Sequence, residues 1–331
     1  METTTKTALI LGATGGVGFE TARALAARGY RIRAMHRDPE RVKALLPGAD
    51  WVRGDAMLRA DVMAAATGCD VIFHGVNPPG YKNWAERVLP MAESSIAAAK
   101  ENGARLVLPG TVYNYGPDAF PLLREDDRQD PVTKKGRIRV ALEARLERAA
   151  WAEGVPVLIL RGGDFFGPHL AQNSWFSNAL VKPGKPVRSV LYPGARDVGH
   201  AWAYLPDFAE TVARLLERPD LPRFTRFHFG GHWFERGVEI AERLRVVAGA
   251  PNAPIRGMPW ALLPLLAPVS TTFRELREMR YLWQVPVRLD NSALVAFVGE
   301  EPHTGIDTAL RRALAGLGCL PAEVTSGFAV A

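Results

Sequence analysis

Glycines 12, 15 and 18, in the run Gly12-Ala13-Thr14-Gly15-Gly16-Val17-Gly18, make the pattern with the clearest chemical meaning in this 331-residue chain. They follow the apolar stretch Ala8–Leu11 and open an amphipathic one, Val17–Arg28. A strand that turns on glycine into a helix gathers backbone N–H groups and the positive end of the helix dipole at one spot, where a phosphate would bind. The three glycines allow a tight turn, close approach of a pyrophosphate to the backbone, and close packing of helix on sheet. Gly12, Thr14, Gly15, Gly16, Val17 and Gly18 are therefore candidate contacts for a dinucleotide. The second apolar stretch ends in Met35-His36-Arg37-Asp38. An acid at that tip would accept hydrogen bonds from the adenosine ribose, whereas a cation suits a 2′-phosphate. Arg37 holds the tip, so NADP(H) is the expected cofactor; in the competing reading Arg37 is solvated and Asp38 holds the ribose of NAD(H). Asp55 and Ala56, after the third strand, are placed to reach the adenine edge, unless Asp55 caps the next helix.

A second cluster lies at the start of a later helix. Lys134, Lys135, Arg137 and Arg139 bring four cations and no acid to the end where the helix dipole disfavours positive charge. Arg139 is i+4 from Lys135 on the same face, so its permanent charge and the dipole both depress the lysine pKa. A lysine tuned down to about 7–8 is a competent general acid or base. Two other readings stay open: the cations hold a ribose or phosphate without moving a proton, or they are a solvated helix start screened by Glu125, Asp126, Asp127 and Asp130. Tyr81, Tyr113 and Tyr115 are further candidate acids, each read more readily as packing. Asn173, Trp175 and Phe176, followed by Lys182, Lys185, Arg188 and Arg196, set aromatics for stacking beside cations for anions. That mixture suits a phosphorylated, nucleotide-linked or carboxylated aromatic substrate, with an ordinary surface loop as the alternative. His228, His232 and Glu235 are split by Gly230-Gly231, so no metal site is expected. No Gly-x-Ser-x-Gly elbow anchors a hydrolase triad.

The elements that must position these residues alternate through the first 160 positions. Short apolar runs at Ala8–Leu11, Arg31–Met35, Asp50–Arg53, Val71–His74, Arg105–Leu108 and Val155–Leu160 read as strands. Between them Val17–Arg28, Pro39–Leu46, Leu58–Thr67, Trp84–Asn102 and Lys135–Ala152 have helical spacing, several closed by a glycine. Right-handed crossovers then make an α/β fold, a doubly wound parallel sheet with ligands at the carboxyl ends of its strands. After Arg161 the texture turns rich in Gly, Pro and aromatics as far as Tyr204, before a helix at Pro206–Glu217 and a strand at Arg226–Phe229. The expected division is a dinucleotide-binding domain over 1–160, with 187–230 returning to it, and a substrate-binding cap from 161–186 and 231–331. Trp202 and Tyr204 are expected to pack behind the sheet.

Bulk properties bound the partners. The formal charge is +6, divided evenly at residue 160, so no basic arm of the kind that grips nucleic acid is present. Cys69 and Cys319 are too far apart in sequence for a CxxC knuckle, and two cysteines do not make a disulfide scaffold, which points to a reducing cytoplasm. The start of the chain lacks a basic n-region. Met258–Val269 is short and broken by three prolines, so no membrane anchor is expected.

With these motifs the chain resembles the short-chain dehydrogenase/reductase superfamily, specifically its extended, epimerase/dehydratase-like branch. The resemblance covers most of the chain. It is carried by the glycine run, His74-Gly75-Val76-Asn77, Thr111-Val112-Tyr113-Asn114-Tyr115-Gly116, Arg161-Gly162-Gly163-Asp164-Phe165-Phe166-Gly167-Pro168 and Tyr204-Leu205-Pro206-Asp207-Phe208-Ala209. It implies a Rossmann domain, with Gly75, Val76 and Asn77 along the cofactor and Asp164 and Phe165 lining its nicotinamide end. It also implies that Thr111 is the hydroxyl that orients the substrate oxygen. A YxxxK pair should follow on the next helix, yet no tyrosine lies between Tyr115 and Tyr192. That stretch is locally similar to isoflavone and phenylcoumaran benzylic ether reductases, in which a lysine stands in the tyrosine's place. Lys135 matches that lysine, with Arg139 in the slot of the family's usual lysine. The resemblance thus implies an NADP(H)-dependent oxidoreductase acting on a small-molecule carbonyl, hydroxyl or enone, with Trp84–Asn102 and Lys135–Ala152 as a dimer interface or packed within one chain. A catalytically silent dinucleotide sensor and a nucleotide-sugar epimerase or dehydratase are the alternatives.

Overall fold

The computed structural model describes residues 5–78, 84–169, 174–261 and 278–320. Seven parallel strands make the central sheet: β1 (Thr7–Leu11), β2 (Arg31–His36), β3 (Asp50–Arg53), β4 (Val71–His74), β5 (Arg105–Gly110), β6 (Val157–Arg161) and β7 (Phe224–His228), in the order β7-β6-β5-β4-β1-β2-β3. The order reverses beside β1, where β2 pairs on one side and β4 on the other. A crevice opens at the carboxyl ends there, the place where doubly wound sheets bind ligands.

Side-chain alternation on the strands builds both layers. Ala8 and Ile10 of β1 face α1 (Gly16–Ala27), whereas Leu9 and Leu11 belong to the opposite face. That second face is covered by α3 (Arg59–Ala66), α4 (Trp84–Asn102) and α5 (Lys134–Glu153), through Val62, Val88, Ile96, Leu142 and Leu146. The first face is completed by α6 (Leu205–Glu217), through Phe208, Val212 and Leu215. Buried strands in a two-faced parallel sheet read as continuous apolar runs, as β1, β4 and β6 do here.

Two expected elements differ. The helix expected over Pro39–Leu46 is one turn, α2 (Pro39–Val42), followed by a 3-10 turn at Lys43–Leu45. Pro47 disfavours helical backbone at the residue before it, and Leu46 accordingly has φ −132° and ψ 82°. The strand expected from Val155 begins at Val157, because the Val155 N–H closes the end of α5 on Ala149 O at 3.1 Å, after Gly154 turns left-handed at φ +75°. It also runs one residue further, to Arg161.

Residues after β6 build a second apolar cluster around Phe166, Phe176, Trp202, Tyr204, Leu244 and Trp283. Its frame is a three-stranded sheet in which His200–Tyr204 pairs in parallel with Asp164–Phe166 and antiparallel with His232–Phe234. Trp202 and Tyr204, expected behind the central sheet, are buried in this second cluster instead, because their strand belongs to the three-stranded sheet.

A buried polar network lies at the carboxyl ends of β6 and β7. Arg161 is fully buried at the end of β6, and its guanidinium makes a fork onto Glu143 of α5. It also donates to the Tyr115 hydroxyl and to His228 Nε2, the latter at 3.1 Å. His228 Nδ1 pairs with Leu123 O at 3.1 Å, and the Tyr115 hydroxyl donates to Arg124 O at 3.0 Å. Burial, with the charge of Arg161 behind it, pushes the His228 pKa down to about 3, so the ring is neutral and its Nε2 can accept.

Glu143→Ala leaves Arg161 buried without its counter-ion and should destabilise the protein by about 3–5 kcal/mol in urea unfolding, whereas a loss below about 1 kcal/mol would show the pair to be dispensable. Burial likewise lowers His74 and His232 to about 4, aided by Arg139 and His303 respectively. The unfolded histidines, near pH 6.5, take up protons first, so acid favours the unfolded chain. Stability should hold above about pH 6.5 and fall steadily toward about pH 3; stability that is flat or rises on acidification across that window contradicts the neutral burial of these rings.

Candidate active site

The glycine loop joins β1 to α1 at the switch point. Gly12 has φ +88°, and a Cβ on it would lie 2.6 Å from Gly75 O, so the loops after β1 and β4 touch through a residue that must be glycine. A Cβ on Gly18 would fall 2.4 Å from Gly12 O, and one on Gly16 2.4 Å from His169 O. The helix begins with Gly15 as N-cap, and no side chain caps it. The first-turn amides of Gly16, Val17 and Gly18 have no carbonyl within the helix to bond, and half-buried Thr14 and Val17 flank them. This is a cradle shaped for an anion and fits a dinucleotide pyrophosphate.

Around it, Arg37 is exposed just past β2. The Asp38 N–H donates to His36 Nδ1 at 3.0 Å. Asp55 Oδ1 accepts from Met57 N at 3.0 Å, so this carboxylate also caps the turn before α3, and Ala56 packs partly buried beneath it. Gly75 and Val76 are half-buried at the end of β4. Asn77 Oδ1 accepts from the Trp84 indole at 2.7 Å, and the Arg139 guanidinium lies 5.1 Å over the Trp84 ring. Arg139 therefore faces the crevice beside β4, where its charge adds to burial in lowering His74.

The four cations of α5 part company on folding. Lys134 and Arg137 are exposed, Arg139 is half-buried, and Lys135 is only 3% exposed. Thr133 caps the helix by accepting from Gly136 N at 2.9 Å. A Cβ on Gly136 would meet Tyr113 O at 2.3 Å, so glycine there lets the first turn of α5 press on the Val112–Asn114 turn. The first turn of α5, which carries Lys135, is thereby packed against the turn after β5, where Thr111 Oγ1 accepts from Tyr113 N at 3.3 Å. Tyr115 lies fully buried in the Arg161 network, and burial raises its pKa well above the usual tyrosine range, so its hydroxyl serves structure.

A cavity of about 110 Å³ opens between the ends of β5 and β6 and the second cluster. Thr111, Tyr113, Asp164, Phe165 and Trp175 all line it. So do His200, Ser174 and Trp283, which the sequence did not single out. His200 Nε2 bonds Asp164 Oδ2 at 2.8 Å, and its ring stacks on Trp283 with centroids 3.9 Å apart. The signal for His200 was the alternation His200-Ala-Trp202-Ala-Tyr204, which puts it on one face with two buried aromatics.

The remaining substrate candidates fall elsewhere. Phe176 is buried against Phe166 and Trp202. Lys182, Lys185, Arg188 and Arg196 are exposed and do not line the cavity. Arg196 lies 3.9 Å from Glu242 instead. Tyr81 and Asn173 lie outside the described residues. Among the described residues no group of three or more His, Cys, Asp or Glu could hold a metal, and no helix is long and apolar enough to cross a membrane.

Several known proteins are similar to this chain. A 3-diazoavenalumate denitrifying reductase from a Streptomyces species is 30% identical over 178 residues, 48% of this chain and 56% of that protein, so the match spans about half of the relative. The UDP-glucuronic acid 4-epimerase of Bacillus cereus, solved with NAD, superposes with a TM-score of 0.75 at 16% identity, over 94% of this chain and 98% of that one. A nucleoside-diphosphate-sugar epimerase from Pseudomonas aeruginosa gives 0.70 at 20% identity, over 95% and 97%. At such identities the likeness is one of fold. The pattern of one family matches residues 8–228, from the first strand of the central sheet to the last. The chain belongs to the NAD dependent epimerase/dehydratase family.

Proposed function

We propose that this protein is an NAD(P)-dependent oxidoreductase acting on a carbonyl, hydroxyl or enone group of a small molecule, with Lys135 in the place of the tyrosine used elsewhere in the superfamily. The observation that carries this reading is the burial of Lys135 on the first turn of α5, packed against the turn that bears Thr111. A solvated lysine would need no glycine at 136 and would not be drawn out of water at a desolvation cost. The 30% identity to a reductase points the same way.

The amides of Gly16, Val17 and Gly18 would hold the pyrophosphate, with Gly75, Val76 and Asn77 along the opposite wall. Arg37, at the exposed tip of β2, suits a 2′-phosphate and favours NADP(H) over NAD(H). The bound dinucleotide supplies or accepts hydride. Thr111 orients the substrate oxygen, Lys135 gives or takes its proton, and Arg139 holds cofactor and biases Lys135 from one helical turn away. The nucleotide-sugar epimerase reading is weaker, since it relies on the missing tyrosine.

Thermal-shift titration should show stabilisation by NADPH at lower concentration than by NADH, and Arg37→Glu should reverse that preference by about tenfold or more, as loss of a charge-assisted contact requires. No preference in either protein would remove the 2′-phosphate role of Arg37. Gly12→Ala should abolish the shift with both nucleotides, because the added carbon collides with Gly75; a retained shift would mean that they bind elsewhere. On a panel of aldehydes, ketones and enones, Lys135→Ala should lower turnover by about 10²–10⁴-fold while the nucleotide shift survives. Normal turnover by that variant would refute Lys135 as proton donor, and nucleotide binding without turnover by the wild type would favour the silent sensor.

A further inference from the structure

Asp164 is the only carboxylate that lines the 110 Å³ cavity among the described residues, and nothing in the proposed reaction requires a negative charge there. A carboxylate amid aromatic side chains loses hydration, a cost that persists only where partners offset it. His200 offsets part of it. Its Nε2 engages Oδ2 alone, at 2.8 Å, and the ring is clamped by stacking on Trp283 with planes 12° apart. The Asp164 side chain keeps 23% exposure, so its second oxygen has access to the cavity. Among the described residues Asp164 makes no other side-chain hydrogen bond. The cavity thus carries a fixed acceptor on one wall and the hydroxyl-bearing Thr111 and Tyr113 on another.

Size and shape narrow what could occupy it. About 110 Å³ lies well below the ~300–1,000 Å³ typical of drug-sized sites, so it has room for about one ring. Trp175 and Trp283 form an aromatic corner, their rings 5.3 Å apart and 71° inclined, suited to a flat π-face.

We infer that the Asp164–His200 pair is a specificity device that accepts a hydrogen bond from the hydroxyl of a one-ring hydroxyaryl carbonyl compound, whose ring packs against Trp175 and Trp283. This deepens the proposed function, since it names the compounds that the same cleft would take. Asp164 acts here as the binding group. His200 is a positioning residue that holds the carboxylate in place.

Equilibrium binding tests the assignment without turnover. Quenching of tryptophan fluorescence by para-hydroxybenzaldehyde and by para-methoxybenzaldehyde, whose oxygen cannot donate, gives a ratio of dissociation constants with and without NADPH. Wild type should prefer the hydroxyl compound by about tenfold or more, the size expected of a hydrogen bond to a charged acceptor. Asp164→Ala should bring the ratio to within about twofold while cooperative thermal unfolding of the free protein shows that the variant is folded. Should that variant fold poorly, Asp164→Asn preserves the shape and should reduce the ratio at least threefold. A wild-type ratio near one, or an unchanged ratio in either folded variant, overturns the assignment. Because binding is read directly, absence of turnover would count against the oxidoreductase reading and leave this result standing on its own.

Discussion

The fork between Arg161 and Glu143 is the contact on which the site's geometry depends. It ties the end of β6 to the middle of α5, and through Tyr115 and His228 it reaches the loop after β5 and the end of β7. A buried ion pair is poor evidence of stabilisation, because desolvation cancels much of the attraction. Its effect here is directional. Arg161 has one set of partners that satisfies its donors, so α5 can dock on the sheet in one register, and Lys135 and Arg139, two and one turns before Glu143, are aimed by the same restraint. Tyr115 is consumed in the network, which leaves the cavity wall to Thr111 and Tyr113.

Charge is sorted by this docking. Four cations in six positions would repel one another on one face of an isolated helix. In the fold Lys134 and Arg137 go to water, Lys135 is buried beside the β5 turn, and Arg139 lies over Trp84 at the crevice. The net charge of the chain, +6, says little about partners by itself. In the proposed function Arg37, Lys135 and Arg139 give part of it a role in holding an anionic dinucleotide.

The scaffold was legible in the sequence because it rests on local signals. β3, β4 and α4 begin and end at the residues that periodicity predicts, and the glycine run announces the crevice. Pro39–Leu46 failed where Pro47 overrode helical spacing, and the start of β6 failed where a helix stop claimed Val155. Within the site, Thr111, Tyr113, Asp164, Phe165 and Trp175 do meet at one cavity. Lys182 and Arg196 do not, because a run of nearby cations in sequence carries no information on which way a loop faces. His200 and Trp283 escaped notice for a related reason. Their pairing joins residues 83 positions apart, and Asp164 meets His200 only through strand order in a second sheet. Glu143 carries no signal of its own in the sequence, because its partner Arg161 lies 18 positions away on another element.

The central claim is that Lys135 moves a proton and does more than supply positive charge. Single-turnover reduction of a carbonyl substrate by bound NADPH in a Lys135→Arg enzyme separates the two, since arginine keeps the charge and does not release a proton near neutrality. Dinucleotide binding should survive and the reduction rate should fall by about 10²–10⁴-fold. Reduction at the wild-type rate by the arginine enzyme would contradict proton transfer at this position.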